Sequence, residues 1–135
     1  MAKRKIKNKP KTKSRKYKKN ITPSGRAYIN AGMNNTIITI TDPQGNTLFQ
    51  GSSGAVGFKG SKKSTPYAAT KAAEQIGNEA VKAGMRDVSV IVIGPGLGRI
   101  SSIKALKTAG LNVVSISDKT PIPHNGCRPK KKRRM

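Results

Sequence analysis

A glycine-rich run contains the residue types best suited to binding chemistry. Residues 94–99 read Gly-Pro-Gly-Leu-Gly-Arg and follow an apolar segment, residues 88–93, dominated by valine and isoleucine. Ser101 and Ser102 then supply candidate caps for a helix. A strand, a glycine-rich turn and a helix N-terminus together form a place where backbone N–H groups can approach a phosphate. The run therefore predicts a phosphate site, and the identity of that phosphate is the functional question.

A nucleotide cofactor is a poor fit to this run. A dinucleotide-binding turn has the pattern Gly-x-Gly-x-x-Gly, with an acid about 20 residues further on. Asp118 stands close to that acidic position, but Arg99 occupies the place of the third glycine and Pro95 stiffens the turn. The Gly-Lys-Ser/Thr ending of an NTPase loop is also missing from the run. We expect no cofactor.

Catalytic and metal sites are equally poorly supported. The one histidine, His124, and the one cysteine, Cys127, lie in residues 120–129, a segment with three prolines that offers no pocket to exclude water. No His/Cys cluster has the spacing of a zinc site, and the five acids are scattered. The sequence also contains no apolar stretch of transmembrane length. We expect a soluble protein that is not an enzyme.

The charge of the chain is large and unevenly distributed. The sequence has 28 Lys and Arg against 5 Asp and Glu, a net charge of +23. Residues 1–26 hold 12 of the cations and residues 119–135 hold 7, and neither segment contains an acid. The charge pattern thus predicts a basic arm (1–26), a globular domain (27–118) and a basic C-terminal tail (119–135). Such dense basic segments favour a polyanionic partner, of which nucleic acid is the first candidate.

The pattern of apolar residues and turns predicts an α/β fold. Three short strands with tight turns indicate an antiparallel meander, and the later strands and helix indicate a βαβ unit. Thr65-Pro66 is a typical helix start, and Gly84 follows the helix as a stop. The apolar residues of 88–93 suggest a strand buried on both faces. The expected strands cover 27–33, 36–41, 47–50, 88–93 and 113–117, and the expected helices 66–83 and 102–109, which form a mixed five-stranded sheet with two helices.

Residues 51–65 form the longest expected loop and a second candidate binding segment. They contain four glycines, four serines, three lysines and Phe58. Glycine and serine leave backbone N–H groups accessible to phosphate oxygens, and lysine supplies positive charge. Phe58 has two interpretations, a base-stacking platform or a core residue, and the core interpretation is slightly favoured.

Three segments of the chain closely resemble one known family. They are residues 57–69 (GFKGSKKSTPYAA), 94–99 (GPGLGR) and 120–134 (TPIPHNGCRPKKKRR), which occur in the same order as in the bacterial-type small-subunit ribosomal protein S11 family. The resemblance covers about residues 20–135. It implies a ribonuclease-H-like α/β sheet without nuclease activity.

The resemblance also implies a function in translation. Such a protein is a structural constituent of the small ribosomal subunit that binds rRNA of the platform, beside other platform proteins and the mRNA–rRNA duplex near the rRNA 3′ end. A cytoplasmic ribosome is implied, with an organellar one as the alternative. The candidate RNA ligands carried over by the motifs are Lys59, Lys62, Lys63, Arg99, Arg128, Lys130, Lys131, Lys132, Arg133 and Arg134.

Two other classes of protein remain compatible with the charge alone. A general nucleic-acid condensing protein would bind DNA and RNA alike, and a membrane-active cationic protein would bind anionic vesicles. The basic runs carry few apolar residues to bury in a headgroup layer, which makes a membrane the weaker alternative.

Overall fold

The sheet has the predicted mixed topology. The computed structural model describes residues 21–135, so most of the expected basic arm lies outside the described residues. Neighbouring strands follow the order β3-β2-β1-β4-β5, with β1–β2 and β2–β3 antiparallel and β1–β4 and β4–β5 parallel. The elements are β1 (Ser24–Ala31), β2 (Thr36–Thr41), β3 (Thr47–Ser52), α1 (Pro66–Lys82), β4 (Asp87–Ile93), α2 (Gly98–Thr108) and β5 (Asn112–Asp118), with a 3-10 helix at Gly60–Ser64 before α1.

Both helices pack against the same face of the sheet. Alternate residues of the central strands, such as Ile29, Ile38 and Val90, are fully buried in one core with Leu106 of α2. The sequence predicts that residues 88–93 are buried on both faces, and this prediction is wrong for part of the strand. Ser89 and other residues on the second face stay partly exposed, since no described helix covers that face.

Helix α1 begins at the predicted residue and ends one residue earlier than predicted, at Lys82. Thr65 caps it, because its hydroxyl oxygen accepts a hydrogen bond from the Ala68 N–H at 3.3 Å, and Pro66 occupies the first turn. Gly84 follows with a φ of +102°, a left-handed conformation that glycine adopts without strain. The alanines of α1 face the core, and their small side chains let the helix lie close to the sheet.

Helix α2 begins four residues earlier than predicted. It starts at Gly98 rather than at Ser102. The N-cap residue is Leu97, whose side chain makes no capping hydrogen bond. Ser102 is instead fully buried in the second turn. The chain can enter the helix this early because Gly94, with a φ of +99°, turns it sharply off the end of β4.

Four of the five strands also differ in their bounds from the sequence prediction, β4 only by beginning one residue earlier, at Asp87. β1 covers Ser24–Ala31 rather than 27–33, because its parallel pairing with β4 begins at Ser24 opposite Asp87. β3 and β5 are each two residues longer than expected. Within the loop at 51–65, residues Gly60–Ser64 form the 3-10 helix, which the composition of that segment did not indicate.

The glycines of residues 94–98 are required by close packing inside the protein. The Gly96 N–H donates to the Ala31 carbonyl at 2.8 Å, and a Cβ at this position would lie 2.7 Å from the same oxygen. A Cβ at Gly98 would meet the Ala69 Cβ at 2.8 Å. Cβ atoms essentially never approach other atoms within 3.0 Å. The expectation that the glycines of this run let the backbone approach a phosphate is therefore corrected for Gly96 and Gly98, since their missing side chains face protein and the Gly96 N–H is already bound.

This packing predicts that Gly96→Ala destabilises the free protein. The added methyl group would press on two backbone carbonyls that cannot move independently, and overpacking of this kind costs about 1–3 kcal/mol. Urea unfolding in the absence of any RNA measures the loss. Gly54→Ala is the matched control, because the closest atom to its Cβ would be in the flexible Lys63 side chain, at 3.2 Å, and no backbone atom is among its nearest neighbours. Equal unfolding midpoints for the two variants would contradict the packing role.

Candidate nucleic-acid interface

The sheet topology brings the predicted binding segments to one edge. β1 is parallel to β4 and β5, and two antiparallel pairings make β3 run in the same direction as β1. The carboxyl ends of four strands therefore lie at one edge of the sheet, which we call the carboxyl edge. Residues 53–65 follow β3 there, residues 94–99 follow β4, and the tail from residue 119 follows β5. Segments that begin at residues 53, 94 and 119 thus share one edge.

The first group of cations at the carboxyl edge is the lysine cluster, which we define as Lys59, Lys62 and Lys63. Lys62 and Lys63 form the end of the 3-10 helix, directly before the capped start of α1, and Lys59 precedes it. Lys59 and Lys62 are exposed and Lys63 is half-buried. Neither ion pair found within residues 21–135 involves the lysine cluster, so its ammonium groups carry no carboxylate partner there.

An aromatic pair lies beside the lysine cluster. The rings of Phe58 and Tyr67 meet edge to face, with centroids 5.9 Å apart and an interplanar angle of 87°. Tyr67 is 62% exposed, while Phe58 is half-buried and lies outside the main hydrophobic core. The favoured assignment of Phe58 to the core is therefore wrong, because its ring packs on Tyr67 at the surface. An exposed aromatic face next to lysines is suited to stacking on an unpaired base.

Lys71, on α1, differs from the lysine cluster because it is paired with a carboxylate. Its ammonium lies 2.9 Å from the Glu74 carboxylate and 5.7 Å from the centroid of the Tyr67 ring. The hydrogen bond from Lys71 to Glu74 raises the pKa of the lysine, followed by the attraction of the nearby negative charge. Lys71 therefore stays charged, but its charge is largely offset by Glu74.

Arg99 is paired rather than free. It lies in the first turn of α2, and its Nη2 donates to Asp118 Oδ2 at the end of β5. The side chain of Arg99 is 35% exposed, so part of the guanidinium still faces solvent. Arginine has five N–H donors in a planar arrangement, which leaves donors available for a phosphate while Asp118 is bound.

A hydrogen-bond network joins this ion pair to the start of the C-terminal tail. Asp118 Oδ1 accepts from the Thr120 N–H at 3.0 Å and from the Thr120 hydroxyl at 2.6 Å. The Gly94 N–H in turn donates to Thr120 Oγ1 at 3.2 Å. The two carboxylate oxygens of Asp118 and the hydroxyl of Thr120 thus connect residues from three segments of the chain. We define the tail anchor as these four residues, Gly94, Arg99, Asp118 and Thr120.

Sequence reasoning missed Asp118 and Thr120 as contributors to this site. The sequence pattern places Asp118 only near the position of a cofactor acid. A signal was present, because an Asp two residues before a Thr at the end of a strand is typical of a side-chain turn in which the carboxylate accepts from the backbone two residues on. What the sequence did not indicate is that Arg99 and Gly94 lie close enough to share these groups.

The tail itself is exposed from residue 121 to the C-terminus. This exposed segment contains the predicted ligands Arg128, Lys130, Lys131, Lys132, Arg133 and Arg134, and none of them takes part in the two ion pairs found within residues 21–135. His124 and Cys127 are also exposed. Within the described residues 21–135, no group of three His, Cys, Asp or Glu side chains could hold a metal ion, and no helix is long and apolar enough to cross a membrane.

The acidic residues lie mostly away from the carboxyl edge. Asp42 and Asp87 lie at the opposite edge of the sheet, and Glu74 and Glu79 lie on α1. A hydrogen bond from the Asn46 side chain lowers the pKa of Asp42, which keeps that carboxylate charged. Asp118 is the one acid at the carboxyl edge, and Arg99 offsets its charge. The carboxyl edge is thus positively charged with few opposing groups.

Comparisons with known proteins agree with the motifs. The family described as "Ribosomal protein S11" matches residues 25–134. A protein named "Small ribosomal subunit protein uS11" from Methylobacterium radiotolerans is 58% identical over 126 residues, which are 93% of this chain and 97% of that protein. The protein of the same name from Methylorubrum populi is 60% identical over 121 residues, 90% of this chain and 93% of its own length. The chain belongs to the ribosomal protein S11 family.

Proposed function

We propose that this protein is a structural constituent of the small ribosomal subunit that binds rRNA through its carboxyl edge and its basic tail. The observation that carries this proposal is the convergence of the lysine cluster, Arg99 and the tail at one edge of the sheet. The cations there outnumber the single acid, which is already paired. Such a surface attracts a polyanion, and the family relationship makes rRNA that polyanion.

The mechanism is mainly electrostatic and steric. Lysine ammonium groups of the cluster neutralise phosphates where RNA segments come close together, and arginine guanidinium groups bind phosphate oxygens in fixed geometry. Tyr67 offers its exposed ring to an unpaired base. The exposed tail, which carries six of the proposed ligands, orders against RNA when it binds.

The finer assignment follows the family resemblance. The rRNA of the platform is the proposed binding partner, together with neighbouring platform proteins and the mRNA–rRNA duplex near the rRNA 3′ end. The bacterial origin of the relatives supports a ribosome of the cytoplasm.

We predict that the protein sediments with the small subunit. In a sucrose gradient of a cell extract at high magnesium, the protein should appear in the small-subunit peak and leave it after ribonuclease treatment, because its binding requires intact RNA. Immunodetection across the fractions measures this. A protein that stays at the top of the gradient, or that partitions equally onto DNA or anionic vesicles in parallel assays, would instead favour a condensing or membrane-active protein.

The lysine cluster predicts a specific change in salt dependence. Replacing Lys59, Lys62 and Lys63 by alanine should weaken binding to small-subunit rRNA and reduce the slope of log affinity against log salt by about 2 to 3, since each lost phosphate contact removes about 0.7–0.9. Filter binding between 50 and 300 mM KCl gives both quantities.

The matched control has the same change in net charge at a different place. Lys82, Lys104 and Lys107 are exposed on the helices and lie away from the start of α1, so their triple alanine variant should keep most of the wild-type slope. Equal slopes for the two triple variants would mean that only net charge matters, and would contradict a localised interface.

A further inference from the structure

We propose that Asp118 and Thr120 are positioning residues that fix the direction in which the C-terminal tail leaves the carboxyl edge. This inference rests on the proposed binding of rRNA by the tail, and it adds the residues that orient the tail. The tail makes none of the described ion pairs and is exposed from residue 121 onward. Its direction is therefore set where it leaves the sheet.

The contacts at that point continue the pairing of β5 with β4. The Lys119 N–H donates to the Val92 carbonyl at 2.9 Å, which is the last backbone bond between these two segments. One residue later the side chain of Thr120, rather than its backbone, makes the contact with the β4 segment. Its hydroxyl accepts a hydrogen bond from the Gly94 N–H at 3.2 Å and donates one to Asp118 Oδ1 at 2.6 Å. The side chain of Thr120 thus fastens the tail to the turn that follows β4.

Arg99 completes the tail anchor from the other side. It holds the second carboxylate oxygen of Asp118, so that the carboxylate is fixed between a cation from α2 and two donors from Thr120. The pairing also explains how an acid is tolerated at an edge that binds a polyanion, because the guanidinium offsets its charge. Arg99 therefore acts partly by orienting Asp118, in addition to the phosphate contact proposed for it.

Two prolines keep the direction set at Thr120 as far as His124, where the chain bends at residues 124 and 125. Pro121 and Pro123 fix the backbone φ directly after the tail anchor, and none of the described peptide bonds is cis. An extended segment advances about 3.1 Å per residue, so His124 lies roughly 12 Å beyond Thr120, and a swing of 30° at the anchor would displace it by about 6 Å. A displacement of that size exceeds the tolerance of a hydrogen bond to a phosphate.

The variant that tests this inference is Thr120→Val in the full-length chain. Valine has the shape of threonine without its hydroxyl, and it leaves the net charge unchanged. We expect affinity for purified small-subunit rRNA to fall about fivefold to tenfold, because the tail loses its preorganised direction. Thr120→Ser, which keeps the hydroxyl, should restore near wild-type affinity. Thr108→Val is the matched control, since Thr108 Oγ1 donates only to the Lys104 carbonyl within α2.

A second background separates positioning from a general effect on folding. In a full-length chain with Lys130, Lys131 and Lys132 changed to glutamine, Thr120→Val should cause a clearly smaller loss, because the misdirected tail then has fewer contacts to lose. A loss of the same size in both backgrounds would overturn the positioning role. Wild-type affinity for Thr120→Val would overturn it as well.

The free protein supplies a readout that does not involve RNA. Cys127 is the one cysteine of the chain and is exposed, so a maleimide fluorophore attached to it reports on the tail. Time-resolved anisotropy should show a wider cone of tail motion in Thr120→Val than in the wild type or in Thr120→Ser. Unchanged anisotropy would contradict the inference, whereas a wild-type protein that fails to bind rRNA would contradict the proposed function itself.

Discussion

The parallel pairing of β1 with β4 is the constraint on which the interface depends. It aligns the carboxyl end of the meander with those of β4 and β5, so that three segments distant in sequence continue from one edge. The pairing is held by core residues such as Ile29 and Val90, whose burial on one face fixes the register of the strands. Charge at the carboxyl edge is thus organised by apolar packing on the helix-covered face.

Much of this organisation was predictable from the sequence, because local signals and the global fold agree. Thr65-Pro66 and Gly84 bound α1 as expected, and the alternation in residues 36–41 gave β2 its observed limits. The family motifs and the absence of catalytic groups predicted a structural ribosomal protein rather than an enzyme, and membership of the S11 family confirms that expectation.

The remaining features depend on contacts between segments that are distant in sequence. The order and spacing of residue types along the chain do not indicate such contacts. The start of α2 at Gly98 follows from the sharp turn at Gly94 and the packing of Gly96 on Ala31, and no serine caps the helix. The surface position of Phe58 follows from its contact with Tyr67. Arg99 is an RNA ligand by the family motif, which remains a prediction, and its pairing with Asp118 across the end of β5 is a contact that the motif does not indicate.

The central claim is that rRNA contacts the carboxyl edge and the tail rather than the whole cationic surface. Lysine acetylation of the free and rRNA-bound protein, followed by quantitative peptide mass spectrometry, tests this claim directly. The account predicts strong protection of Lys59, Lys62 and the tail lysines on binding, with Lys82 and Lys107 modified at unchanged rates. Uniform protection of both groups, or protection of Lys82 and Lys107 alone, would contradict it.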